Sequence, residues 1–260
     1  MLRVIVKVVR QTEARSQPKQ RALSCFRRNG YGARCRLYLG LAFYIAAEGG
    51  HREKLDTRET TNEMEKVDMQ KTTNETVKIV GISGSLRRGS FSTALLKVLA
   101  EKSQPAIEIK IVTLEDIPLY NEDLDSEPEI PAVAAFKRII AESDGVLIAT
   151  PEYNHGIPGV LKNALDWASR PVFESCFKHK PVSIISSSLA FTGGVRAQYQ
   201  LRETLISMQA HLVMGPEVVV GGIHTNLADD AYTDKNGLTF MLKSLGRLRD
   251  EILRKRLVSV

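Results

Sequence analysis

The sequence predicts a doubly wound α/β domain, a five-stranded parallel sheet with helices on both faces. Three observations point there. From Val77 onward, short unbroken apolar runs alternate with stretches of helical period, the pattern of a parallel sheet buried on both sides. Five such runs fall within about 180 residues, the scale of a single domain of this kind. The loops after the first, third and fourth runs are rich in Gly, Ser or Pro, and in these sheets ligands bind outside the carboxyl ends of the strands.

Taken in order, VKIVGI at 77–82 is an apolar, β-branched run and reads as a buried strand. SGSLRRGSFS forms a loop before TALLKVLAEK, whose Leu95, Leu96 and Leu99 share one helical face. Ile107, Ile109, Ile111 and Val112 predict a second strand, and residues 114–131 a long acidic loop containing proline. Val133 to Glu142 has helical period, and GVLIAT at 145–150 is a third strand. A loop at 151–159 leads into the helix VLKNALDWAS. Val182 to Ile185 predicts a fourth strand, 195–209 a helix, and Leu212 to Val220 a fifth strand. Pro216 lies inside that last run and sets it at an edge or a bulge, because proline cannot donate to a ladder. Leu238 to Leu257 closes the domain as a long amphipathic helix.

The 260 residues carry 36 Lys and Arg against 30 Asp and Glu, a formal net charge of +6. The excess belongs wholly to residues 1–76, with 15 basic and 9 acidic residues, whereas residues 77–260 hold 21 of each. The domain thus has no net positive field to draw nucleic acid. No apolar run approaches the ~20 residues that cross a bilayer. Cys25, Cys35 and Cys176 are too few and too scattered for a disulfide framework or a zinc site, so no metal is expected. Residues 1–76 read as a basic extension and polar linker, disordered or a non-native start with Met64 or Met69 beginning the working protein; an Arg-rich targeting segment is the alternative. Residues 77–260 form the functional domain, expected in the cytoplasm with no membrane partner.

The loop Ser83 to Thr93 combines hydroxyl donors, glycines that admit close backbone approach, and the cations Arg87 and Arg88 ahead of a helix N-terminus. Together these make a phosphate cradle. It lacks the Gly-Lys-Ser/Thr ending of a Walker loop and the G-x-G-x-x-G spacing of a dinucleotide fold, and a monophosphate such as that of FMN fits it. The plain alternative is a serine-rich turn in which Ser90 or Ser92 caps the helix. In the loop after the third strand, Pro151 and Pro158 stiffen the chain, Tyr153 and His155 offer flat faces to a planar ring, and Asn154 and the backbone offer hydrogen bonds to its edge. The alternative there is a proline-containing loop with a surface histidine. No Ser-His-Asp or Cys-His set stands out.

GSLRRGSFS after the first strand, TPEYNHGIPGVLKNALDW after the third and GGVRAQYQLRE further on resemble the NAD(P)H-dependent FMN reductase family, which includes quinone and chromate reductases and related azoreductases. The acidic segment IPLYNEDLD matches the loop that family carries after its second strand. The resemblance spans roughly 77–255 and implies a flavodoxin-like fold. It implies FMN as cofactor and NADPH or NADH as co-substrate. Hydride would pass to the flavin and on to a small-molecule acceptor (a quinone, chromate, an azo or nitro compound, or free flavin) at one shared place. By position, it implies a phosphate loop of Ser85, Leu86, Arg87, Arg88, Gly89, Ser90, Phe91 and Ser92, with Ser85, Arg87, Ser90 and Ser92 contributing side chains. Glu152, Tyr153, Asn154 and His155 would meet the isoalloxazine mainly through backbone, and Ser188 would line the site. The chain departs from the family's pattern at Ser92, where Asn is usual, and at His155, where Tyr or Ser is common. A homodimer or homotetramer is also implied, with Arg196 and Tyr199 near a subunit boundary. The flavin would carry the chemistry, so no catalytic acid or base is assigned. The rival readings are a non-enzymatic FMN electron carrier of flavodoxin type, a phosphate-ligand sensor that has lost flavin, and a main role for the basic extension.

Overall fold

The computed structural model describes residues 75–125, 129–228 and 231–258; all but the last two residues of the proposed extension 1–76 lie outside them. The fold belongs to the unit Met64–Arg256, one of two into which the chain divides. In chain order the strands are β1 (Val77–Ser83), β2 (Ile107–Val112), β3 (Gly145–Pro151), β4 (Pro181–Ser187), β5 (His211–Leu212), β6 (Val218–Val220), β7 (Leu227–Ala228) and β8 (Ala231–Tyr232). The helices are α1 (Phe91–Lys102), α2 (Pro131–Glu142), α3 (Gly159–Ala168), α4 (Val195–Ser207), α5 (Ile223–Asn226) and α6 (Lys235–Val258).

The sheet runs β2-β1-β3-β4-β5, with β6 also paired to β4, and every pair in it is parallel. The chain moves outward from β1 to β2 and then returns to place β3 on the other side of β1, which creates the switch point. Register fixes what meets there, since Ser83 is paired with Ala149 and Pro151 with Ser187. The carboxyl ends of β1, β3 and β4 therefore lie side by side.

Alternation along the strands divides the core into two layers. Val80, Ile82, Val146, Ile148, Val182 and Ile184 pack against α2, α3 and α4, whose buried faces include Phe136, Ile140, Leu161, Leu165, Leu201 and Leu205. Ile79, Leu147, Ala149 and Ile185 face the other way, onto Leu95, Leu96 and Leu99 of α1 and Leu245, Leu248 and Ile252 of α6. Each fully buried side chain of this size contributes about 1.5–3 kcal/mol. The two-sided burial explains why these strands read as unbroken apolar runs.

The fifth strand differs from the single run 212–220 expected from sequence. It is split into β5 and β6, both paired to β4. Val182 pairs with Leu212 and Ile185 with Val218, so the outer strand spends more residues than its partner over the same length. Pro216 lies in the bulge this makes, beside Gly215 at φ +153°. The short helix α5 and the hairpin β7–β8, whose register pairs Leu227 with Tyr232, had no apolar signature of their own. Among the described residues no helix is long and apolar enough to cross a membrane.

Candidate functional site

Ser83, the last residue of β1, is fully buried, and its hydroxyl donates to the Ser85 carbonyl at 3.3 Å and lies 2.8 Å from Thr93 Oγ1. This ties both ends of the β1–α1 loop together. Ser85 Oγ accepts the Arg87 amide at 3.4 Å. Ser90 is the N-cap of α1 and accepts the Thr93 amide at 3.2 Å, while its carbonyl accepts that of Ala94 at 3.0 Å. The Phe91 and Ser92 amides are left without a partner among the described residues, and the first turn of α1 carries no acid. The Arg87 guanidinium stands 4.8 Å above the Phe91 ring. Capping and anion binding are thus compatible here, because the cap uses one hydroxyl and leaves two amides, the positive end of the helix dipole and Arg87 for an anion.

The β3–α3 loop turns back on itself. Tyr153 and Gly156 exchange backbone hydrogen bonds of 2.9 and 3.0 Å. Between them Asn154 and His155 stand at φ +50° and +66°, the pairing of signs a type I′ turn demands. Their amides have no partner among the described residues. The Glu152 side chain turns toward α4, where its carboxylate accepts the Arg196 amide at 2.9 Å and the Ala197 amide at 3.3 Å. Gly194, the N-cap of α4, has no side chain to do so.

The loop after β4 is pinned by its own backbone. The Ser188 amide donates to Val220 at 3.0 Å, and its carbonyl accepts the Ile223 amide at 3.2 Å. Ser186 Oγ donates to the Gly193 carbonyl at 2.7 Å, and buried Gln198 donates to both Ser186 Oγ and the Val218 carbonyl. Gly193, at φ +61°, has no room for a side chain, since a Cβ would come within 2.9 Å of the Val219 and Val220 backbone.

These three loops enclose a cavity of about 530 Å³, within the ~300–1,000 Å³ usual for small-molecule sites. Of the residues singled out from sequence, Ser85, Arg87, Ser90, Phe91, Ser92, Glu152, Tyr153 and Ser188 line it. Arg88 and Gly89 face instead a neighbouring cavity with Lys97 and Leu227, and Leu86 is exposed. Asn154 and His155 stand at the exposed tip of the turn. Pro151, Ser187, Leu189 and Ala190 also line the cavity. Sequence reading gives Pro151 only a stiffening role and passes over Ser187, Leu189 and Ala190, whose signal is their position at and just after the end of β4. The donor set fits a flavin mononucleotide: hydroxyls, free amides and a cation gather at the β1–α1 end, and Tyr153 lines the other, with the unpartnered Asn154 and His155 amides following it on the exposed turn. Cys176 takes no part. Burial pushes its thiol up to about 11, and its sulfur lies 3.7 Å from the Ala168 carbonyl. Among the described residues no group of His, Cys, Asp or Glu could hold a metal.

An open parallel sheet with a donor-rich cavity at its switch point defines a flavodoxin-like nucleotide-binding protein. Residues 77–225 match the NADPH-dependent FMN reductase family, and the chain belongs to it. It is 45% identical over 144 residues to an NAD(P)H-dependent FMN reductase of Pseudomonas aeruginosa, covering 55% of this chain and 77% of the relative. To an NADPH:quinone oxidoreductase of Arabidopsis thaliana it is 36% identical over 188 residues, covering 71% and 88%. Among solved structures, the NAD(P)H:acceptor flavoenzyme FerB of Paracoccus denitrificans superposes with a TM-score of 0.64 at 32% identity, covering 68% of this chain and 98% of that one.

Proposed function

We propose that the chain is an FMN-dependent NAD(P)H oxidoreductase that reduces small-molecule acceptors, quinones foremost. The observation that carries this is the meeting of three loops around one cavity whose two ends differ in chemistry, in a chain whose relatives are named for FMN and quinone reduction. Bound there, FMN would supply the hydride chemistry between nicotinamide and acceptor. The chain's own residues have other work. Ser85, Ser90 and Ser92 offer hydroxyls, Phe91 and Ser92 amides, and Arg87 a positive charge to the phosphate. The amides of Asn154 and His155 offer donors to the ring edge, and Tyr153 a flat flank. Glu152 lines the cavity with its carboxylate committed to α4, so none of the described residues lining it presents a free acid to repel phosphate or nicotinamide nucleotide. No side chain is required to move a proton.

Leu189, Phe191 and Tyr199, all more than 60% exposed, support a homo-oligomer with the site near a subunit boundary; light scattering on the purified chain checks this. Deleting residues 1–68 is expected to leave flavin binding unchanged, because the core described above lies beyond them. The decisive test is the visible spectrum of the purified protein. Flavin bands that bleach with NADPH in the absence of oxygen and return with a quinone support the proposal. Bands that bleach with neither NADPH nor NADH would replace it with an electron carrier.

A further inference from the structure

Helix α4 grips the turn after β3 at both ends. At the near end the Glu152 side chain, 10% exposed, holds the Arg196 and Ala197 amides, with Arg196 Nη1 3.5 Å from its other oxygen. At the far end Gln200 Oε1 accepts the Ile157 amide at 2.7 Å. Arg196 and Gln200 are four residues apart, so one helical turn spans the two grips. Gly156 makes the second grip fit, since a Cβ there would stand 2.4 Å from Gln200 Oε1. Between the grips are Asn154 and His155, two non-glycine residues in left-handed backbone. Such backbone persists only where its surroundings over-determine it. The local sequence offers no Asn-Gly or Asp-Gly pair to favour the turn, so support must come from elsewhere.

We infer that Glu152 and Gln200 are positioning residues that hold this turn against α4, presenting the Asn154 and His155 amides as preorganised donors to the edge of the flavin ring. The inference rests on the FMN reading, because the ring is what those amides would meet. Neither side chain needs to touch the cofactor. Donors fixed at the ring edge favour the form that carries negative charge, which is the reduced one. Loosening them weakens FMN binding and moves the midpoint potential more negative.

The experiment compares Glu152→Ala, Glu152→Gln, Gln200→Ala and Gln200→Glu in the full chain. In flavin-free protein, amide hydrogen exchange across 153–157 is expected to rise about tenfold in both alanine variants. It should return toward the parent in Glu152→Gln and Gln200→Glu, which keep an oxygen acceptor. With FMN added, the alanine variants should bind about tenfold more weakly and show a more negative midpoint potential. Exchange and potential both unchanged in the alanine variants would overturn the inference, even if melting temperature falls, because Glu152 would then only cap α4. Glu152→Gln behaving like Glu152→Ala would overturn it too. If the parent chain binds no FMN, the functional proposal and the ring contact fail together, while the exchange data still decide whether α4 holds the turn.

Discussion

The β1–α1 loop draws most of its side-chain supports from its own residues, whereas the turn after β3 borrows its side-chain supports from a helix more than 40 residues further along. In the first, Ser83 bonds to Ser85 and Thr93, Ser85 accepts from Arg87, and Ser90 caps α1. These partners lie within ten residues, and the loop's longer-range ties are the Gly84 amide to the Ala149 carbonyl at 2.8 Å and Ser85 Oγ 3.5 Å from the Tyr153 hydroxyl. In the second, Glu152 and Gln200 reach across separations of 43 to 45 residues. A loop built mostly from neighbours needs little beyond its own strand and helix and the adjoining β3. One built from a distant helix waits for the sheet to assemble and inherits any disturbance of that helix.

Mutations can break or sharpen this contrast. The largest effect is expected at Arg87, whose cation belongs to the local loop alone. Arg87→Ala should weaken FMN binding about 10- to 100-fold, the loss of about 1.5–3 kcal/mol for a hydrogen bond to a charged group, and leave riboflavin affinity unchanged. Titration of both flavins checks it, and equal losses for the two would mean that the phosphate does not sit in this loop. Next come Ser90→Ala and Gly156→Ala, compared in flavin-free protein by chemical denaturation. Losing the Ser90 cap should cost about 1 kcal/mol. The Gly156 change displaces the end of a flexible glutamine and should cost about 0.5–1.5 kcal/mol through the Ile157 hydrogen bond. Exchange at α1 should respond only to the first and exchange at 153–157 only to the second; cross-talk would erase the distinction between the loops. The smallest effect belongs to Cys176, which lies in neither. With its thiol raised by burial to about 11, the reactive thiolate is scarce at pH 8 and grows only as pH rises toward that value. Alkylation at this position, followed by peptide mass mapping, should therefore be slow at pH 8 and leave flavin binding intact. Rapid labelling there would show that the segment opens.

The same contrast explains what the sequence disclosed. β1, β3 and β4 were legible because burial on both faces leaves no polar alternation, and α1 because its leucines keep helical spacing. The hydroxyls of the phosphate loop were legible for the reason the loop is stable, namely that its chemistry is contiguous. Pro216 announced an irregular fifth strand, but the register shift between Leu212 and Val218 depends on how β4 is met. Glu152 read as a neighbour of the ring, and its commitment to α4 had no trace, because nothing near position 152 announces an uncapped helix beginning at Val195. Leu189 and Ala190 were invisible for a simpler reason: they join the cavity by standing where a strand ends.

One feature of the fold has an optical consequence. The chain has a single tryptophan, Trp167, buried on α3 with its indole N–H donating to the Pro118 carbonyl at 2.8 Å and its ring edge-on to Tyr120 at 4.9 Å. Indole emission from this protein therefore has one source, rigidly placed on the helix that follows the turn after β3. Flavins absorb where indole emits, so quenching of that emission would follow occupancy of the cavity without a label, and its residual anisotropy would report whether the acidic loop stays fastened to α3.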